Sequence, residues 1–147
     1  MPRSRPVIVA HNISHCEAAL AAASSVSVPL MLASARFAAS TIGAPAFLAM
    51  VEQAATRSTD ADFTAAVDCG DGTGYALSAL RAGAKTVILD PASPAYARVA
   101  DIAAQMDARV LTSAVYADAL DLSHVGDAAE ACHIYLAKSA LGGDETS

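Results

Sequence analysis

AAVDCGDGTGYALSAL, residues 65–80, passes from a nearly continuous apolar run, through three glycines at alternate positions, into a segment of helical period. An apolar run of that kind suits a strand covered on both faces, and a glycine-bearing turn into a helix is half of a strand-helix-strand unit. The same alternation recurs on either side. The spacing predicts strands at Pro6 to His11, Pro29 to Ser34, Phe63 to Val67, Thr86 to Leu89 and Arg109 to Thr112. Between and after them it predicts helices at Glu17 to Ser25, Pro45 to Thr56, Gly74 to Ala82, Pro94 to Asp107 and Gly126 to Ser139. The fold class is therefore α/β, a parallel sheet of about five strands with alternating helices.

Local signals support these boundaries. Tyr96, Val99, Ile102, Ala103 and Met106 share one helical stripe. Ser14 three residues before Glu17 has the spacing of a capping box, Pro94 after Ser93 suits a helix start, and Gly83 suits a helix stop. Residues 1–141 are expected to form one domain, with no repeat or linker to divide them, and residues 142–147, GGDETS, to form a flexible tail.

Composition narrows the function. The chain has 147 residues, 54% of them hydrophobic and 16% charged, with alanine at about a quarter, which describes closely packed helices and excludes a disordered acidic chain. A net charge of -6 without any basic run argues against nucleic acid as a partner. The most apolar stretch, Val26 to Ala39, is broken by Pro29 and Arg36, so no membrane partner is expected. The start MPRSRPVIVAHN lacks the long apolar core of a secretory signal, which makes a cytoplasmic location the expectation. Three widely spaced cysteines, Cys16, Cys69 and Cys132, fit neither a disulfide framework nor a self-contained zinc site, and Cys16 and Cys132 sit at core positions of helical segments.

In a parallel sheet the strand carboxyl ends share one rim, where loops and helix amino termini meet ligands. That rim should carry His11 and Asn12, then Arg36, then Asp68, Cys69 and Asp71, then Asp90, and finally Ser113 or Tyr116. Residues in such places also cap helices or face water, a role that suits Asn12 and Ser113. The loop Gly70-Asp71-Gly72-Thr73-Gly74 stands where a phosphate loop would, but it reads GxGxG and has no P-loop lysine. Asp68 and Asp71 would also oppose an anion placed on its backbone donors.

The run GAPAFLAMVEQAATRSTDADFTAAVDCGDGTGYALSALRAGAKTVILDPAS, residues 43–93, resembles the amino half of the class II fructose-bisphosphate and tagatose-bisphosphate aldolases. In that family a strand ends in a Leu-Asp-His-Gly type motif, a helix leads to Ala-Gly, and the next strand ends in Met-Ile-Asp-Gly-Ser. The counterparts here are Val67-Asp68-Cys69-Gly70, Ala82-Gly83 and Val87-Ile88-Leu89-Asp90. PVIVAHNISHCEAALAAASSVSVPLMLAS, residues 6–34, is similar to the family's first two strands and their helix, and the likeness reaches Ala114, about half of a whole aldolase.

The resemblance implies half of an aldolase-type barrel, or that half rearranged into an open flavodoxin- or Rossmann-like sheet. It implies Asp68 as the acid/base residue and puts Cys69 at the position of the family's first zinc-binding histidine. The later strands that carry the other histidines and the phosphate loops have no counterpart. Two readings result. The first is a non-catalytic binding or assembly module that needs no cofactor. The second is a residual zinc-dependent lyase completed by oligomerisation, with Asp68 catalytic, Cys69 and His11 on the metal, and Arg36 on the phosphate of a small molecule. Asn12, Asp71 and Asp90 complete the expected ligand-binding set. An uncovered sheet face makes a homo-oligomer or an aldolase-like partner chain the expected assembly.

Overall fold

Every strand pairs in parallel, and the first five lie side by side in chain order. The computed structural model describes residues 5–145, with side chains described for 5–141. The strands are β1 (Val7–Val9), β2 (Leu30–Ala33), β3 (Phe63–Asp68), β4 (Thr86–Ile88), β5 (Arg109–Leu111) and β6 (Leu120–Asp121), in the sheet order β5-β4-β3-β2-β1-β6. The α/β class holds, with six strands where the sequence indicates about five. The additional β6 is two residues long and is held by pairing with β1, Ile8 opposite Leu120 and Val9 opposite Asp121. So short a segment has no periodicity of its own to read.

The helices are α1 (Ile13–Val26), α2 (Ala38–Thr41), α3 (Ala44–Ala55), α4 (Thr73–Arg81), α5 (Tyr96–Gln105) and α6 (Ala128–Glu145). The single turn α2 lies in a segment that the sequence leaves unassigned. Helix α1 starts earlier than expected because Asn12, not Ser14, caps it: the Asn12 side chain accepts the His15 N–H at 2.8 Å. Glu17 is left to pair with Arg57 at 2.9 Å. Helix α5 starts at Tyr96 without a side-chain cap, while Ser93 hydrogen-bonds the Thr73 hydroxyl at 2.8 Å. Gly83 ends α4 at a φ of 104°, a left-handed conformation that glycine adopts without strain. The α6 backbone continues through Glu145; the remainder of the expected tail, and the side chains of 142–147, lie outside the described residues.

Alternation along the strands divides the interior in two. Ile8, Leu30, Leu32, Val67 and Val87 point to the helix-covered face and join one core with buried residues of α1, α3, α4, α5 and α6, among them Leu20, Phe47, Leu80, Val99 and Leu136. Cys16 and Cys132 are buried there, as their sequence positions suggest. Val7, Val9, Met31, Ala33, Ala66 and Ile88 point the other way into a smaller cluster, covered by Leu111, Val115, Tyr116 and Ala119. Leu111 ends β5, and the other three belong to the chain between β5 and β6. Residues 112–119, including a 3-10 turn at Ser113–Tyr116, cross from one sheet edge to the other as a strap.

The first five strands lie in chain order, as in a barrel wall, while β6 is placed on the far side of β1, a reversal of the kind found in open doubly wound sheets. The sheet does not close: β5 and β6 are its two edges. Among the described residues, no helix is long and apolar enough to cross a membrane.

Candidate functional site

At the strand carboxyl ends the chain makes a pocket of about 250 Å³ lined by Arg36, Asp68, Gly70, Asp71, Asp90 and Ser113, with Phe37 and Ile88. Each polar residue ends or follows a strand, so the parallel sheet brings together residues far apart in sequence. Of the expected rim set, Arg36, Asp68, Asp71, Asp90 and Ser113 converge here; His11, Asn12 and Cys69 do not.

Asp68 is the deepest group, 4% exposed. Its Oδ1 accepts the N–H groups of Phe37 and Gly70, both at 2.9 Å, and Oδ2 faces the Tyr116 hydroxyl at 3.1 Å. The Tyr116 hydroxyl also lies 3.0 Å from the Ser34 carbonyl, so its one proton is shared between two acceptors. Burial first, then the Asp68 charge and hydrogen bond, push the Tyr116 phenol well above its ordinary range, so it remains a donor. The Arg36 guanidinium covers the Tyr116 ring, 4.6 Å from its centroid. Asp68 is thus held as an ionic staple between the β2 loop, the β3 turn and the strap.

The turn is built closely around that staple. Phe37 and Gly70 have φ values of 65° and 60°, and a Cβ at position 70 would come within 2.5 Å of Phe37 Cδ1. Glycine is required there both for the left-handed backbone and for the ring lying over it. Phe37, whose backbone N–H holds Asp68, is the residue that sequence reading missed; an exposed aromatic in a short loop gives no periodic signal. Asp71 lines the pocket, and Asp90 turns one oxygen to the Ala92 N–H at 2.9 Å, an Asx turn.

Cys69 takes the opposite direction. Strand parity carries it into the helix-side core, 3% exposed, where its thiol contacts the Val67 carbonyl at 3.7 Å. Burial, and then the neighbouring Asp68 charge, push the thiol up to about 12, so it is protonated at neutral pH.

His11 and Asn12 join a separate cluster at the β1 and β6 ends. His11 Nε2 lies 2.7 Å from Asp121 Oδ1, which also accepts the Ser123 N–H at 2.9 Å. Burial pushes the Asp121 carboxyl up, but the Ser123 N–H and His11 together bring it below its ordinary value. His15 accepts the His11 N–H at 3.0 Å, and its own pKa is lowered by burial and by His11 against the opposing pull of Asp121. Asp121 went unrecognised in the sequence because β6 did. Asn12 serves as the helix cap, the role that competes with ligand binding for such a residue.

The donors expected for zinc do not fit it. Cys69 is a buried protonated thiol facing the helices, and His11 is held by Asp121 two strands from β3. Among the described residues, no three His, Cys, Asp or Glu side chains converge on a point that could hold a metal ion.

No protein-family model and no curated protein matches the sequence. Solved structures do match the fold. One is the crystal structure of the YdjI aldolase from Escherichia coli K12, similar over 74% of this chain at a TM-score of 0.59 and 13% identity. The chain spans 44% of that structure, which agrees with a sheet that stops short of closure. At that identity the likeness establishes an aldolase-like fold and nothing further.

Proposed function

We propose that the chain is a non-catalytic binding or assembly module on an aldolase-like scaffold, with the carboxyl-end pocket as its ligand site. One observation carries this reading: the Asp68 carboxylate is occupied by two backbone N–H groups and faces a tyrosine hydroxyl. A general base must reach a substrate proton with a free lone pair in line. Asp68 instead ties three loops together. Cys69, turned into the core, supplies no thiolate beside it.

The pocket's size and charge define the ligand. Its 250 Å³ is below the usual range of about 300–1,000 Å³ for ligand clefts. Arg36 is its one cation against Asp68, Asp71 and Asp90. A small hydroxylated molecule with a single phosphate on Arg36 suits that balance, its hydroxyls donating to Asp71 and Asp90. A bisphosphate would set its second phosphate against carboxylates. Self-association is part of this reading, since β5 pairs on one side only and the opposite edge is the two-residue β6.

The test combines elemental mass spectrometry with aldol-cleavage assays on ketose bisphosphates, with and without added zinc. No stoichiometric metal and no turnover is the expected result, accompanied by calorimetric binding of a sugar monophosphate that weakens in Arg36→Ala. About one zinc per chain, lost in Cys69→Ala, together with turnover lost in Asp68→Asn, would replace this reading with the lyase.

A further inference from the structure

A second cavity, larger than the carboxyl-end pocket, shares no lining residue with it. It lies on the strap side of the sheet, toward the strand amino ends, with a volume of about 800 Å³. That is within the range of small-molecule sites, about 300–1,000 Å³. Its walls are apolar where the sheet and strap meet it: Pro6, Val7, Pro29, Met31, Leu111 and Val115. In a closed barrel the centre of the sheet is filled by layers of side chains from the full ring of strands. Here the sheet ends at β5, and the strap covers the inward cluster without filling the space below it.

The charge lining this cavity is opposite in sense to that of the carboxyl-end pocket. Among the described residues its cations are Arg5 and Arg109 and its carboxylate is Asp118. Arg5 is paired with Asp62 at 2.8 Å, whereas Arg109 has no carboxylate within ion-pair distance among the described residues. Tyr135 leaves no free donor for a ligand, because its hydroxyl donates to the Asp118 carbonyl at 2.8 Å and accepts the Val7 N–H at 3.3 Å. In a chain of net charge -6, a guanidinium with no described ion-pair partner beside an apolar wall marks a place where an organic anion is favoured.

We propose that this cavity binds an amphipathic organic anion, an alkyl or acyl body against Met31, Leu111 and Val115 with a single carboxylate on Arg109. The apolar wall supplies affinity through burial, and the guanidinium fixes orientation and selects the sign of the head group. The site is independent of the carboxyl-end pocket.

The probe is decanoate, titrated calorimetrically into the full chain, with decanol and decyltrimethylammonium as head-group controls. Saturable 1:1 binding of decanoate is expected, at least about tenfold tighter than either control. Arg109→Gln should weaken decanoate about tenfold and leave decanol unchanged. Arg109 is exposed, so this variant does not threaten the fold. Leu111→Asp, with its circular dichroism checked, should abolish both, and Asp71→Asn should alter neither. Absence of saturable binding would overturn the proposal, as would equal affinity for the cationic probe or indifference to Arg109→Gln. So would a sedimentation change in Leu111→Asp without decanoate binding by the parent protein, which would show a second copy of the chain seated on this face.

Discussion

The two faces of the sheet are made from alternate residues of the same strands, yet they are finished differently. Ile8, Leu32, Val67 and Val87 meet helices that bury them almost completely. Val9, Met31, Ala66 and Ile88, one position away in each strand, are covered by a single strap, and Met31 with Val7 also lines a cavity of about 800 Å³. The helix side is packed to carry stability, and the strap side has room for ligands. Asp68 joins them: it leaves β3 on the strap side, while Cys69 beside it turns into the helix-side core. A one-residue step reverses the face, which is why an aspartate and a cysteine adjacent in sequence have unrelated environments.

That contrast can be broken first by pH. The thiols of Cys16 and Cys132 are pushed up to about 11 and that of Cys69 to about 12, chiefly by burial, from an ordinary value of 9.0. Folding therefore favours their protonated forms. The associated stability is fully present below pH 9 and is lost as pH rises through the folded values. At pH 11 the loss is expected to be on the order of 2 kcal/mol per thiol. Urea midpoints at pH 8, 9.5 and 11 measure it, and a flat profile would contradict the packing of the helix side.

A truncation on that same side comes next. Phe47 in α3 is 1% exposed, and Phe47→Ala should cost about 3–5 kcal/mol in urea unfolding. On the strap side, Tyr116→Phe removes the hydroxyl shared by Asp68 and Ser34 and should cost about 2 kcal/mol while leaving the ring under Arg36. A loss from Tyr116→Phe equal to that of Phe47→Ala would erase the distinction between the faces. The smallest change has the opposite sign. Thr64 Oγ1 is buried with no hydrogen-bond partner among the described residues, so Thr64→Val should raise stability by about 1 kcal/mol, read as a higher Tm.

Much of the fold was legible because parallel strands covered on both faces read as continuous apolar runs, and five of them did. The strap and β6 were not legible: residues 112–121 show neither a helical nor a strand period, and β6 exists through its pairing with Val9 and Ile8. At the site, strand-end position alone located Arg36, Asp68, Asp71, Asp90 and Ser113. It also drew in His11, which belongs with Asp121, a partner 110 residues away that no local pattern announces.

Periodicity and turn chemistry in the amino-acid sequence determined the α/β class, the five leading strands and the polar rim, because these are properties of neighbouring residues. Tertiary structure alone decided which face each rim side chain takes, that Asp68 would be enclosed by the strap, and that the second face of the sheet would keep a cavity. Those outcomes depend on contacts between residues tens of positions apart, whose energies no local segment contains.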